Sequence, residues 1–118
     1  MTRRQRDAII VDIVTAFAEA GYRCWEPDIQ NTVYTLQELV GVPLGFRFIP
    51  YKQRLFSFDL RDEITSMRAD CLIDIRLHSQ WQGPGLVVTE TGWAFRERWP
   101  RTVERYAEIV RFIITAGR

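Results

Sequence analysis

Few side chains in this 118-residue sequence have the type and spacing that catalysis or metal binding requires. His78 is the only histidine, and its position at the end of an alternating segment indicates an exposed strand residue rather than a general base. Neither Cys24 nor Cys71 lies in a Cys-x-x-Cys or Cys/His array, so no zinc site is predicted. The sequence also lacks a phosphate loop, a nucleophile elbow and a dinucleotide fingerprint. It therefore predicts a protein that is not an enzyme and binds no cofactor.

Four acidic residues fall in one short segment of the chain, and we considered them as ligands for a divalent metal. They are Asp59, Asp62, Glu63 and Asp70. The first three share one side of a predicted helix, as a nuclease site would require. The start of a helix also favours negative charge and capping side chains, which explains these residues without a metal. No metal site is predicted.

The basic and aromatic residues indicate binding instead. The candidate contacts with nucleic acid or a protein partner are Arg3, Arg4, Arg6, Lys52, Arg54, Arg61, Arg68 and Trp81. Arg61 and Arg68 are seven residues apart and share a helix face, from which arginine can reach base edges. The alternative is a solvated face on which Arg61 pairs with nearby acids. Trp81 either contacts a partner or folds back over the sheet.

Composition excludes several classes of protein. Sixteen basic and fifteen acidic residues leave a net charge of +1, which argues against a strongly basic tail or an acidic solvating protein. With 47% apolar and 26% charged residues, the chain has the composition of one globular domain spanning 1–118. No segment approaches the roughly 20 uncharged residues that span a bilayer. The two cysteines favour reduced, partly buried thiols over a single disulfide. We expect a cytoplasmic protein without membrane contact.

Two helices are predicted in the first third of the chain. The first spans 4–20, with its apolar residues on one face, Asp12 away from that face and Gly21 ending it. Because Pro27 disfavours a helical residue before it, the second helix is expected to begin at Asp28 as N-cap and to end near residue 40.

The middle of the chain changes from aromatic to helical character. An aromatic, β-prone segment over 46–51 predicts a short or edge strand, because Pro50 cannot donate to a sheet. A polar, basic loop is expected over 52–57. A third helix follows over 58–69, capped by Ser57 or Asp59.

The last third predicts a hairpin and a terminal helix. Alternating apolar residues indicate a strand over 73–78, and 86–88 is expected to return beside it after a turn rich in glycine and proline. Thr89 is positioned to cap a C-terminal helix over 92–116, which Pro100 either kinks or divides.

One apolar seam runs along the C-terminal helix. Its residues are Trp99, Val103, Tyr106, Val110 and Ile113, at steps of four, three, four and three. Such a seam packs along another helix. We consider two alternatives, a homodimer interface and packing on residues 10–20 of the same chain.

The order of these elements is that of a mostly helical α+β winged helix-turn-helix domain. The N-terminal helix precedes a core over 28–92, and the C-terminal helix follows it. Residues 73–88 form the two-strand wing, and the helix over 58–69 occupies the recognition-helix position.

Several segments carry a family resemblance. They are Leu36–Val40 (LQELV), Gly45–Lys52 (GFRFIPYK), Ser57–Ile64 (SFDLRDEI), Ala69–Ile73 (ADCLI) and Val88–Gly92 (VTETG). The first four resemble the YwgA-type group of small prokaryotic winged-helix proteins and, more distantly, Panacea-domain antitoxins. The last is similar to the Leu-Thr-x-x-Gly that closes the wing in many winged-helix regulators. Arg54–Leu55 stands where the group tends to have Gly-Pro, so no role of that dipeptide carries over, and Glu38 replaces a common lysine.

The sequence and the resemblance together predict a binding module. The first hypothesis is a DNA-binding transcriptional regulator that contacts double-stranded DNA. The alternative is a protein-interaction module, such as an antitoxin-like or defence-system subunit, in which the acidic helix over 58–69 and Trp81 face a protein.

Overall fold

The first helix of the chain lies at the centre of the fold. In the computed structural model, which describes residues 1–117, helix α1 spans Arg3–Glu19 and every residue from 7 to 17 is buried. Gly21 follows with a φ angle of 77°, the left-handed ending that the sequence predicts. The expected one-sided helix is wrong in one respect, because Asp12 is buried rather than turned to solvent. A helix covered on all sides is a core helix against which other elements pack.

The second helix begins earlier than predicted. Helix α2 spans Glu26–Tyr34, and a π-helical segment, Thr35–Val40, continues it. Pro27 lies in the first turn, where a missing N–H costs no helical hydrogen bond. Asp28 is therefore inside the helix instead of being its N-cap, and its carboxylate accepts a hydrogen bond from the N–H of Trp25 at 2.8 Å.

The chain next forms a hairpin of strand β1, Ile49–Tyr51, and strand β2, Arg54–Phe56. The two turn residues, Lys52 and Gln53, have φ angles of 49° and 66°. Positive φ at both positions is the type I′ geometry that joins antiparallel strands. The predicted strand is thus shorter than expected, and the loop predicted over 52–57 is wrong because it contains β2.

Helix α3 spans Phe58–Ala69, the limits that the sequence predicts. Ser57 is its N-cap, and the Ser57 hydroxyl accepts a hydrogen bond from the N–H of Leu60 at 3.1 Å. Of the two predicted caps, Ser57 is therefore the correct one. Asp59 lies in the first turn and is exposed, where its charge suits the helix dipole.

A second antiparallel hairpin follows α3. Strand β3, Ile73–Arg76, pairs with strand β4, Gly85–Val88, so that Ile73 lies opposite Val88 and Arg76 opposite Gly85. The predicted hairpin is confirmed, with its first strand two residues shorter than the expected 73–78.

The predicted C-terminal helix is two helices. Helix α4 spans Glu90–Glu97 and helix α5 spans Pro100–Ala116. Of the two predicted effects of Pro100, division is correct, because proline fits the first position of a helix but not its interior. The single helix expected over 92–116 is corrected accordingly. Thr89 caps α4, as predicted.

The Val88–Gly92 motif joins the second hairpin to α4. The Thr89 hydroxyl accepts a hydrogen bond from the N–H of Gly92 at 2.9 Å and donates to the carbonyl of Leu72 at 3.2 Å. A Cβ atom on Gly92 would lie 2.0 Å from the same Leu72 carbonyl oxygen. Gly92 is therefore required by close packing of α4 against the start of β3.

We expect Gly92→Ala to lower the free energy of unfolding by about 2 kcal/mol, because backbone must move to admit the methyl group. Alanine gains helix propensity worth up to about 1 kcal/mol, and the clash outweighs it. Urea denaturation followed by circular dichroism measures the difference. Thr91→Ala, at an exposed neighbouring position, should change stability by less than about 0.5 kcal/mol. Equal stability of the two variants would contradict this packing.

Across residues 1–117, five α-helices and two small antiparallel sheets confirm the predicted mostly helical α+β class. Helices α2, α4 and α5 and strand β4 all pack on α1.

No disulfide joins Cys24 to Cys71. Cys24 is buried, while Cys71 is exposed and not partly buried as expected. Within residues 1–117, no helix has the length and apolar character needed to cross a membrane.

Candidate nucleic-acid interface

The β1–β2 turn projects cations from the surface. Lys52 and Arg54 are exposed on either side of Gln53, and Arg47 is exposed just before β1. Arg47 lines a shallow cleft together with Phe58 and Asp59 of α3, so it stands near the first turn of that helix. Among the residues that the structure describes, none of the three cations forms an ion pair. They are available to an external anion.

Three aromatic rings support this turn. The ring centroids of Tyr51 and Phe56 each lie 5.0 Å from the ring centroid of Phe58, and they lie 5.8 Å from each other. The three rings therefore form one cluster. The Lys52 ammonium lies 5.2 Å from the Tyr51 ring centroid, and the Arg61 guanidinium lies 4.6 Å from that of Phe56. Edge-to-face aromatic contacts and cation–π contacts both favour a fixed geometry. The cluster therefore holds the basic turn against the start of α3.

Gln30 of α2 fixes the junction between β2 and α3. Its side-chain amide donates to the carbonyl of Ser57 at 2.9 Å, and its oxygen accepts from the N–H of Ser57 at 3.0 Å. Both residues are buried, so these bonds satisfy two backbone groups that water cannot reach. This contact was missed by sequence reasoning, because a glutamine inside a helix has no local pattern that indicates its partner.

The outward face of α3 is close to electrically neutral. Arg61 pairs with Glu26 of α2 at 3.3 Å, so the predicted ion pair exists but with an acid from another helix. Arg68 is exposed, and the described residues give it no ion pair. Exposed Asp59 and Asp62 share the helix with these arginines. Arg68 is thus the one cation of α3 that is not already paired within the described chain.

The N-terminal arginines have partners inside the protein. Arg3 donates from Nε to both carboxylate oxygens of Glu63, at 3.2 and 3.0 Å, and Arg6 donates to Glu63 at 3.1 Å. Arg4 is exposed, with its guanidinium 6.0 Å from the Phe95 ring centroid. The predicted arm of three phosphate-binding arginines is therefore corrected: two of them connect α1 to α3, and Arg4 alone remains unpaired among the described residues.

Trp81 is folded back against its own hairpin. It is half-buried and its ring centroid lies 5.2 Å from that of His78. A Cβ atom on Gly85 would lie 2.7 Å from the Trp81 ring, so the indole covers the strand backbone there. Arg23 donates to the carbonyls of Gln82 and Pro84 at 3.1 and 3.0 Å and holds the same loop. Of the two predicted roles, packing on the hairpin describes Trp81.

The C-terminal seam packs within the chain. Val103 and Val110 are buried in the main core, and Trp99, Tyr106 and Ile113 are partly buried against it. Helix α5 makes its most extensive contact with α1, the second of the two predicted alternatives. Val103 and Val110 are consequently not accessible to a second copy of the chain.

Two buried carboxylates on α1 form networks that the sequence did not indicate. Asp12 binds Arg96 of α4 and Arg111 of α5, and Asp7 lies beside Glu63 of α3. The available signal was composition: residues 8–11 and 13–14 are all apolar, which indicates a helix buried all round. An acid in such a helix must find a partner, but its identity is set by residues distant in the chain.

Comparison with known proteins supplies no relative: no family model, no curated protein and no solved structure matches this chain.

The described residues contain no group of three or more histidine, cysteine, aspartate or glutamate side chains that could hold a metal ion. Of the four acids considered above as ligands, Glu63 is buried and bound by Arg3 and Arg6, whereas Asp59, Asp62 and Asp70 are exposed.

Proposed function

We propose that this protein is a non-enzymatic winged-helix module that binds double-stranded DNA, with the β1–β2 hairpin as its main phosphate contact. The observation that carries the proposal is the group of exposed cations at Arg47, Lys52 and Arg54, at or just before the β1–β2 turn, which form no ion pair among the described residues. Phosphate contacts by such side chains supply most of the sequence-independent affinity for a duplex.

The order and exposure of the elements support the winged-helix assignment. Helix α3 is followed directly by the β3–β4 hairpin, the arrangement of a recognition helix and its wing. Residues Phe58, Arg61, Thr65 and Arg68 of α3 are exposed. In the described part of the chain, helix α5 packs on α1, α2 and α4 and does not cover α3, so the outward face of α3 is open to a ligand. The resemblance to YwgA-type proteins agrees with this assignment.

Each basic residue has a separate role in the proposal. Arg47, Lys52 and Arg54 contact phosphates, and Arg68 is the side chain of α3 available to a base edge. Arg61 positions the hairpin instead, because Glu26 and the Phe56 ring hold its guanidinium. With one available arginine and two exposed acids on α3, we expect affinity to be mainly electrostatic and discrimination between sequences to be modest.

A protein-interaction module is the second candidate, and exposed apolar side chains favour it. Leu39 and Val40 on the π-helical segment are 72% and 46% exposed, and Leu77 beyond β3 is 81% exposed. Large exposed apolar side chains are typical of protein contacts when they cluster. Such a partner would be retained at moderate salt, because apolar contacts do not depend on counterion release.

Fluorescence anisotropy with a labelled random duplex distinguishes the two candidates. Three phosphate contacts predict a salt slope of about −2.7, so the affinity should fall roughly 40-fold between 50 and 200 mM salt. Binding that falls steeply in this way supports the proposal. Absence of duplex binding at 50 mM salt, together with a co-purifying protein that survives 200 mM salt, would favour the second candidate.

A further inference from the structure

A pair of buried carboxyl groups joins α1 to α3. Asp7 of α1 is 4% exposed and Glu63 of α3 is 7% exposed. Arg6, the residue before Asp7, donates to Glu63 at 3.1 Å, which places the two carboxyl groups close together, and Asp7 Oδ1 has no hydrogen-bond partner within the described residues. Two neighbouring carboxyl groups in a buried site cannot both be ionised without strong repulsion, so one of them holds a proton.

The hydrogen bonds of the surrounding arginines go to one of the two carboxyl groups. Arg3 and Arg6 both donate to Glu63, and the Nε of Arg6 is buried without a partner among the described atoms. The side chain of Arg6 also lies over the Phe46 ring, 4.3 Å from its centroid, which limits its movement toward Asp7. The other charged group near the cluster is Asp70, which acts on Arg3. The arginines therefore stabilise the charge on Glu63.

We propose that Asp7 and Glu63 share a single proton, and that losing this proton loosens the packing of α3 on α1, which makes the cluster a pH-sensitive device. The proposal concerns how α3 is held in the fold and does not rest on DNA binding. The proton resides on Asp7. Burial and the interaction with Glu63 raise the pKa of Asp7 to about 8, against the charges of Arg3 and Arg6. Burial also raises the pKa of Glu63, but its hydrogen bonds with Asp7 and Arg3 outweigh burial and lower the pKa of that group.

The sign of the pH dependence follows from the folded state holding the proton more tightly than the unfolded state. The stability that Asp7 contributes is fully present below the ordinary pKa of aspartate and is lost as the pH rises toward about 8. The loss is at most about tenfold in the unfolding equilibrium constant per pH unit, the effect of one proton. For Glu63 the lowered pKa gives stability that is lost only in acid, so the two contributions occupy different pH ranges.

Urea denaturation of the full chain at pH 6, 7 and 8 tests the proposal with three proteins. The unfolding constant of the wild type should rise by up to about tenfold per pH unit. Asp7→Asn keeps the shape of the side chain without a titrating proton, so its profile should be nearly flat. Asp62→Asn removes an exposed carboxylate of the same helix as Glu63 and should keep the wild-type slope.

Carboxyl-carbon NMR of the wild type gives a second readout that does not depend on the stability of a variant. The Asp7 carbon should report a protonated group at pH 6 that titrates far above the ordinary aspartate range. An Asp7 carboxyl that is already ionised at pH 6 would overturn the proposal. Parallel slopes for the wild type and Asp7→Asn would overturn it as well.

Discussion

Asp12→Ala should lower the free energy of unfolding by about 3–5 kcal/mol, the cost of removing one partner from a buried ion pair. Asp12 is 1% exposed at the centre of α1. It accepts hydrogen bonds from Arg96 Nε at 2.9 Å and from Arg111 Nη1 and Nη2 at 2.8 and 3.0 Å. The Asp12 and Glu19 carboxylates raise the pKa of Arg111 against the effect of burial. Truncating Asp12 therefore leaves the partly buried Arg96 without this partner, leaves Arg111 with only the exposed Glu19, and opens a cavity between them.

Two further variants separate charge from packing at this site. Asp12→Asn retains the side-chain volume and loses only the charge. Its free energy of unfolding should therefore lie between that of the wild type and that of Asp12→Ala. Glu19→Ala is the matched control, because Glu19 pairs with the same Arg111 at 2.8 Å but is exposed. An exposed pair contributes less than about 1 kcal/mol. Urea denaturation of all three variants tests the account, and a loss below 1 kcal/mol for Asp12→Ala would contradict it.

The double variant Lys52→Glu/Arg54→Glu should bind duplex DNA about 100-fold more weakly than the wild type at 100 mM salt. Two phosphate contacts are lost and two negative charges are brought toward the phosphates, so both changes reduce affinity. Both residues are exposed and neither forms an ion pair among the described residues, so the substitutions should leave the fold intact. Fluorescence anisotropy measures the affinity, and circular dichroism checks the fold.

The matched control for this variant is Arg101→Glu/Arg105→Glu. It makes the same change in net charge at exposed positions of α5, a helix that carries none of the three proposed phosphate contacts. Its affinity for the duplex should remain within about threefold of the wild type, because the number of phosphate contacts is unchanged. If the two double variants lose affinity equally, overall charge controls binding and the hairpin has no special role.

Local signals account for the elements that the sequence predicted well. Ser57 and Thr89 are capping residues whose bonds lie within three residues, and Gly21 needs only its own positive φ. Strand β2 was missed because its turn, Lys52–Gln53, adopts positive φ without the glycine or asparagine that usually indicates it. The start of α2 was misplaced because Pro27 was treated as a barrier when it lies within the first turn.

The remaining errors concern contacts between distant parts of the chain. Asp12 binds arginines 84 and 99 residues away, which no local periodicity can indicate. The same applies to Arg3 and Arg6, whose shared partner Glu63 is 60 and 57 residues away. The apolar steps of α5 correctly indicated helix packing, but choosing between a second copy and α1 required knowing that α1 is central.

The salt dependence of duplex binding by the wild type and by Lys52→Ala/Arg54→Ala tests the central claim most directly. Each phosphate contact contributes about −0.9 to the slope of log affinity against log salt concentration. We predict a slope of about −2.7 for the wild type and about −0.9 for the double variant, because only Arg47 of the three proposed phosphate contacts remains. Equal slopes for the two proteins, or a wild type that does not bind the duplex, would contradict the assignment of the β1–β2 hairpin as a DNA-binding element.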